Sequence, residues 1–473
     1  MPSPPSPAMP PTPTSAIQLG LPRITSLLHS LQSPHLQTPI IHISGTNGKG
    51  SVSAYLSSIL LKSGLRVGRF NSPHLVEEWD CLQLGGRNVR REVFEGTKEE
   101  VEEVDRREGV GATAFELLTA TAFTVFARER PKLDLAVVEV GMGGLTDATN
   151  VVDPERTLLS MITPIELDHQ KFLGETIGEI ARVKAGIVKR GTEVVLAGQA
   201  HGEVEGVVRG VADEMDATVW LAGEGSVVEE KEAIAEAEDQ TPLPPLVSLP
   251  LTPLSIYPSS TVPPPPRTTH LQARLPLPGA YQLSNSATAL LASQLLRTSP
   301  RCLAMLPSLS GITDESMKEG IESTRWPGRL DWLALPSPRQ RMKLLVDGAH
   351  NPSSAETLAS YLTSLPPHIA PTTLVIGLSF PRDPASILAP LLSSSRISKV
   401  VCTPFTPPPS MPWIRATGAE EIASRAKEWD VEVEVVQSVE EAIEGLKMGE
   451  RAVVAGSLYL AADIYRWVRG RGE

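Results

Sequence analysis

Short apolar runs alternate with longer amphipathic stretches over most of this chain, the pattern of parallel α/β architecture. Residues 39–43 (Pro-Ile-Ile-His-Ile) predict a buried strand, and 51–61 have helical periodicity. Residues 133–140 predict another buried strand running into Gly141-Met142-Gly143-Gly144, and 157–163 a third that ends near Asp168 and His169. A helix over 176–184 and a strand from 193 to 196 continue the alternation. The pattern then breaks: 229–239 is charged and alanine-rich, and 241–266 holds ten prolines. Such a stretch cannot sustain a helix or an interior strand, so 229–269 is expected to be a flexible insert whose deletion leaves the protein folded. Structure is expected to resume near His270, with a helix over 284–296. The C-terminal third repeats the alternation, with strands at 343–346, 373–376, 399–402, 431–436 and 451–455 and helices at 355–364 and 419–429. A boundary near 322–326 divides the chain into a disordered tail (1–16), a first domain (17–322) and a second (323–473). No internal repeat is evident.

At 473 residues the chain is long enough for two or more real cores. Its formal charge of -12 and lack of a sustained basic stripe argue against a nucleic-acid partner. No apolar run approaches a membrane span. Residues 1–15 are rich in Pro and Ser and contain no Arg or Lys, unlike a secretory signal or an Arg-rich transit peptide. Cys81, Cys302 and Cys402 are isolated, which fits inert thiols in a reducing compartment. Cytoplasmic residence is the expectation.

Candidate chemistry enters at Ser44-Gly45-Thr46-Asn47-Gly48-Lys49-Gly50-Ser51. Strand, glycine loop, helix is the context of a phosphate-binding loop: glycines bring N–H groups to phosphate oxygens, Lys49 reaches across them, and Ser51 can join a Mg²⁺ shell. The spelling departs from the common loop, because Gly50 separates lysine from hydroxyl. Glu139, where an apolar strand meets glycines, reads either as a Mg²⁺ ligand or as a charge that merely ends the strand. His169 reads as a capping or general-base histidine or, less naturally, a metal ligand. Lys184 near a helix end reads as an ordinary dipole partner. Arg329, in Arg325-Trp326-Pro327-Gly328-Arg329, could neutralise a phosphoryl group across a cleft or could be a linker arginine in water. Asp347-Gly348-Ala349-His350-Asn351-Pro352 could place Asp347 on ribose hydroxyls and His350 on a small anionic substrate; a capped turn explains the same residues.

Together these pieces resemble the Mur ligase superfamily, specifically the folylpolyglutamate synthase and dihydrofolate synthase family. The resemblance runs from about Ile17 to Leu460, interrupted by 229–269. It is carried in order by Ile17-Gln18-Leu19-Gly20-Leu21, the loop above, Asn71-Ser72-Pro73-His74-Leu75, residues 139–150, Leu167-Asp168-His169, residues 184–187, Trp326-Pro327-Gly328-Arg329, residues 347–352 and Gly456-Ser457-Leu458-Tyr459-Leu460. It implies a P-loop ATP-binding domain with a central, mostly parallel sheet and a smaller, Rossmann-like C-terminal domain.

The resemblance also implies roles. Ser51, Glu139 and His169 match Mg²⁺ ligands, and Lys184 matches a lysine carbamylated in many members. Gly45, Thr46, Asn47, Gly48, Lys49, Gly50, Ser51, Val52, Asn285, Arg329 and Asp347 match the ATP site. Ile17, Gln18, Leu19, Phe115, Glu116, Leu117, Leu118, Thr146, Asp147 and Ala148 match segments that hold the pterin substrate, and His350 lies near the incoming glutamate. Lys49, Lys184, His169, Arg329 and His350 form the implied catalytic set. The implied reaction is ATP-dependent amide formation through an acyl phosphate, with small-molecule partners only (dihydropteroate or folate, L-glutamate, ATP) and a monomeric enzyme. Tyr281 departs from the family's usual histidine, although Gln282 and Asn285 remain. Val76-Glu77-Glu78-Trp79-Asp80-Cys81-Leu82, residues 115–120 and residues 168–174 look like the dihydrofolate synthases of folate-making eukaryotes. Dihydrofolate synthase is therefore favoured over folylpolyglutamate synthase or a bifunctional enzyme. A P-loop ATPase acting on something else, or a silent binding module, would leave Glu139, His169, Arg329 and Asp347 without roles.

Overall fold

A computed structural model describes residues 19–228, 244–258, 269–335, 342–394, 396–408, 414–447 and 449–470. The tail, Ile17, Gln18 and residues 229–243 and 259–268 lie outside them.

The first domain is built on strands β1 (Ile40–Ser44), β2 (Val67–Phe70), β3 (Leu82–Leu84), β4 (Arg87–Asn88), β5 (Leu135–Glu139), β6 (Thr157–Ile162), β7 (Glu193–Leu196) and β8 (Thr218–Leu221). A further small sheet uses β9 (Ser226–Val227), β10 (Leu246–Pro250) and β12 (His270–Arg274), while β11 (Ser255–Tyr257) joins the large sheet. The nine strands run in the order β11-β8-β7-β6-β1-β5-β2-β3-β4, with the six from β8 to β2 parallel. β1, β5 and β6 are buried at every position, as continuous apolar strands covered by helices on both faces must be. β1 lies between β6 and β5, the point from which consecutive connections run in opposite directions, and ligands gather beyond the carboxyl ends of strands at such a point.

The second domain holds β13 (Asp331–Ala334), β14 (Lys343–Val346), β15 (Thr373–Ile376), β16 (Lys399–Cys402), β17 (Glu432–Val435) and β18 (Ala452–Ala455). Their order is β13-β14-β18-β15-β16-β17, all parallel except the β13–β14 pair. Three of the sheet edges are short or charged. β11 is followed at once by Pro258, β4 is two residues long, and β17 carries Glu432 and Glu434, which pair with Lys399 at 3.4 and 2.7 Å.

The expected strands and helices lie where the pattern put them, within a few residues, but one expectation fails. Part of the proline-rich segment is folded. β10 is the middle strand of its sheet, antiparallel to β12 over five residue pairs, and its Val247 and Leu249 are fully buried in the core against the helix Tyr281–Thr298. The prolines explain why this is possible: Pro244 and Pro245 precede the strand and Pro250 ends it, where a missing N–H costs no interior ladder bond.

Candidate active site

β1 delivers the chain into the nucleotide loop, and the helix Lys49–Lys62 starts at once with Gly48 as N-cap at φ 88, a left-handed conformation that favours glycine. The N–H groups of Thr46 and Asn47 both donate to Pro164 O, at 2.9 and 3.1 Å, which ties the loop to the end of β6. The anion-binding capacity therefore lies in the first helical turn, whose N–H groups have no intrahelical acceptor. Lys49 Nζ donates to Gly45 O at 3.1 Å and Thr46 O at 3.2 Å and lies 3.9 Å from Glu139 Oε1. Lys184 Nζ donates to the same Gly45 O at 2.8 Å. Burial, reinforced by the Lys49 charge, pulls Lys184 down to about 7.

Glu139 ends β5 in register with Ile43 and is buried. One of its oxygens accepts from Asn71 Nδ2 at 2.7 Å; burial raises its pKa, against the pull of Lys49, Asn71, Arg329 and Arg69. Ser51 Oγ is buried and accepts from Gln282 Nε2 at 3.2 Å, while Gln282 Oε1 accepts from Asn285 Nδ2 at 3.0 Å. Val52 belongs to the core, so its side chain faces away from any nucleotide. His169 sits half-exposed at φ 52, with its pKa lowered by burial and by Lys184 and Lys49 against Asp168. Among the described residues no three His, Cys, Asp or Glu side chains cluster as a metal cage. One carboxylate, one hydroxyl and one neutral imidazole fit a cation that keeps phosphate and water oxygens as its other ligands, as Mg²⁺ does.

A second group surrounds the turn after β5. The Phe115 ring lies against Gly141 and stacks on Phe70 with centroids 6.3 Å apart. Glu116 is spent structurally: its Oε2 accepts from Thr113 N at 2.7 Å, closing a capping box, and from Arg23 Nε at 3.0 Å. Leu117 and Leu118 pack on the same core cluster as Phe115. Thr146 O accepts from Gly20 N at 3.1 Å, which brings the entry segment and exposed Leu19 to this turn. Asp147, buried, accepts from Met142 N, Thr149 N and Thr149 Oγ1 at 2.8, 2.9 and 2.5 Å, and Ala148 is buried beside it. Since Thr149 Oγ1 donates to Asp147, it accepts from His42 Nε2 at 2.8 Å; burial holds that histidine neutral, at about 3.

The second sheet presents residues from the carboxyl ends of β14 and β15, the two strands that flank β18. Asp347 follows β14 and accepts from Leu330 N and Ala349 N, both at 2.8 Å. His350 Nδ1 donates to Gly348 O at 2.7 Å, which leaves Nε2 as an acceptor, and burial lowers its pKa to about 4. Arg329 packs against Gly348 and its charge is felt by Glu139, Asp347 and His350. Arg382, after β15, is a half-buried guanidinium whose hydrogen bond among the described residues goes to His350 O. Asp168 of the first domain attracts both Arg382 and His350.

The structure thus gathers Lys49, Ser51, Glu139, His169 and Lys184 on one face of a cleft and Arg329, Asp347 and His350 on the other. Sequence reasoning missed Arg382, Arg69 and Asn71. The available signal for Arg382 was position, at the carboxyl end of a parallel strand, the rule that singled out Asp347.

Comparison with known proteins gives the family. A family model described as dihydrofolate synthetase, C-terminal domain, matches residues 331–467. A probable dihydrofolate synthetase of Schizosaccharomyces pombe is 34% identical over 96% of this chain and 99% of its own length. The dihydrofolate synthetase of Saccharomyces cerevisiae is 32% identical over 95% of this chain and 98% of its own. A solved structure of Escherichia coli FolC in complex with DHPP and ADP superposes with a TM-score of 0.71 at 26% identity, covering 97% of this chain and 95% of that one.

Proposed function

Because the chain belongs to the dihydrofolate synthase/folylpolyglutamate synthase family, we infer that it is an ATP- and Mg²⁺-dependent ligase joining L-glutamate to the carboxylate of dihydropteroate. The observation that carries this reading is electrostatic contact across the cleft: Glu139 lies in the field of Arg329, and Asp168 in that of Arg382 and His350. A simple ATPase needs the first face and has no use for the second.

In the first half-reaction an oxygen of the acceptor carboxylate attacks the γ-phosphorus, and the bond to the ADP oxygen breaks, leaving an acyl phosphate. Lys49 from one side and Arg329 from the other neutralise the transferring phosphoryl group. Ser51, Glu139 and His169 would hold Mg²⁺, which supplies Lewis-acid neutralisation of phosphate charge. Lys184, neutral in part near pH 7, has the free amine needed to add carbon dioxide; carbamylation would turn it into an oxygen donor. In the second half-reaction the glutamate nitrogen attacks the acyl carbon and phosphate departs with the C–O electron pair. The glutamate reacts as its free amine. His350, held neutral by burial, accepts an amine N–H at Nε2 and orients the nitrogen; the proton lost from nitrogen leaves with the departing phosphate, and Arg382 takes a glutamate carboxylate. Closure of the two faces keeps water from the acyl phosphate.

The pterin is placed against Phe115 and the Thr146–Asp147–Ala148 turn, with Leu19 at its entrance. Glu116, Leu117 and Leu118 act behind that wall rather than on the ligand. Gln282, Asn285 and Asp347 attend the nucleotide. Among the described residues no helix is long and apolar enough to cross a membrane; the finer reading is a cytoplasmic monomer, with a mitochondrial pool as the alternative, and no nucleic-acid partner. The test is glutamate-dependent ADP formation on dihydropteroate and on a tetrahydrofolate monoglutamate, with products weighed. Turnover on dihydropteroate is expected. Turnover on the folate alone would reassign the enzyme to chain extension.

A further inference from the structure

Gly50, the residue that separates lysine from hydroxyl in the nucleotide loop, has a neighbour that explains it. A Cβ built on Gly50 would meet Trp326 Cζ2 at 2.6 Å and Cε2 at 3.1 Å, so the indole rests on the first turn of the phosphate-binding helix. The same ring faces Arg69, whose Cζ lies 4.9 Å from its centroid, within cation–π range. Arg69 is a buried β2 residue, paired in register with Val137 two positions before Glu139, and its Nε has no partner among the described residues. The indole thus covers a guanidinium that also lies in the field of Glu139. Trp326 also belongs to the linker. Two residues on, Gly328 N donates to Tyr465 Oη at 2.7 Å; three residues on, Arg329 packs against Gly348. The linker is anchored to the nucleotide loop at one end and to the second sheet at the other, over a span of about 10 Å.

We propose that Trp326 is a positioning residue: by bridging Gly50 and Arg69 it makes the placement of Arg329 depend on the geometry of the nucleotide loop. The glycine is in the loop because the linker needs a landing place there, and this coupling lets phosphate binding on the first domain set the arginine that the second domain presents. The proposal rests on the ligase reading for its kinetic consequence, but the coupling itself does not require it.

The test compares the wild type with Trp326→Leu, Trp326→Phe, Gly50→Ala and the double variant Gly50→Ala/Trp326→Leu. Misplacing Arg329 by about 1 Å should lower kcat roughly 10- to 100-fold in Trp326→Leu. KM for dihydropteroate should stay within about twofold, since that site lies elsewhere. Trp326→Phe, which keeps an aromatic face on Arg69, should recover most of the loss. Gly50→Ala should be comparably slow, because its methyl displaces the indole, yet add nothing once the indole is gone. Losses that add in the double variant, an unchanged kcat in Trp326→Leu, or a defect confined to KM for dihydropteroate would each overturn the proposal. Tryptophan emission supplies a readout independent of turnover. An emission change on adding ATP that disappears in Trp326→Phe supports the coupling, and one that persists unchanged removes it. Wild-type protein inactive on every pterin acceptor would overturn the ligase reading while leaving that optical result decisive.

Discussion

The two faces of the cleft solve opposite problems. On the first, two lysines and a glutamate are crowded into a buried space, and backbone carbonyls hold the ammonium groups: Gly45 O serves both Lys49 and Lys184. Like charges can sit so close because burial brings Lys184 near neutrality. On the second, Arg382 keeps a half-buried positive charge beside a histidine held neutral by burial. On the proposed reading the first face would receive a polyanion with its counter-cation, and the second would select a small acid by charge and by a single imidazole acceptor.

That contrast predicts effects of graded size. Lys49→Ala should lower kcat about 10²- to 10³-fold, the loss typical of one preorganised charge-stabilising donor; a folded variant with full turnover, measured by coupled ADP release, would take the loop out of the mechanism. Arg382→Ala should raise KM for glutamate on the order of 10-fold to 100-fold, from a charge-assisted bond of about 1.5–3 kcal/mol. KM for ATP should not follow it, and if both rise together the faces are not separate. Thr149→Val leaves His42 Nε2 without its acceptor and removes one of the three donors to Asp147, and should cost about 1–3 kcal/mol in calorimetric stability, with a higher KM for dihydropteroate. The last effect is in pH. A lysine lowered to about 7 is neutral in the folded protein while the unfolded chain still binds the proton, so stability should rise with pH from about 7 up to the ordinary lysine range. The slope is at most about 1.4 kcal/mol per pH unit for one group. Lys189, lowered to about 8, adds a slope of the same sign, so the stability of Lys184→Met, measured by denaturation, should begin its rise nearer 8. A variant whose rise still starts near 7 would show that Lys184 is not the group involved.

Much of this was legible because the signals were local. β1 and β5 are apolar on both faces, and the glycines between β1 and its helix leave few alternatives. The five predicted strands of the second domain are found for the same reason. β10 was hidden by composition: its alternation of Val247 and Leu249 is plain, but flanking prolines mask a strand that needs its N–H groups only in the middle. The site divides similarly. Residues in glycine turns announced themselves, whereas the lowered pKa of Lys184 and the bond from Arg23 to Glu116 depend on partners more than ninety residues away. Arg382 follows an unremarkable Ser379-Phe380-Pro381 and becomes conspicuous only when β15 is seen beside β18 and β14.

The guarded rims of the sheets bear on how such a molecule survives its own synthesis. Long parallel sheets assemble from distant parts of a chain, and while they do so an open margin can template a neighbour. Here the nine-stranded sheet stops at three residues and a proline on one side and at two residues on the other, and the six-stranded sheet ends on paired glutamates. These margins give a second nascent chain little to add to, so the expected failure of a destabilised variant is degradation in place of fibrous aggregation.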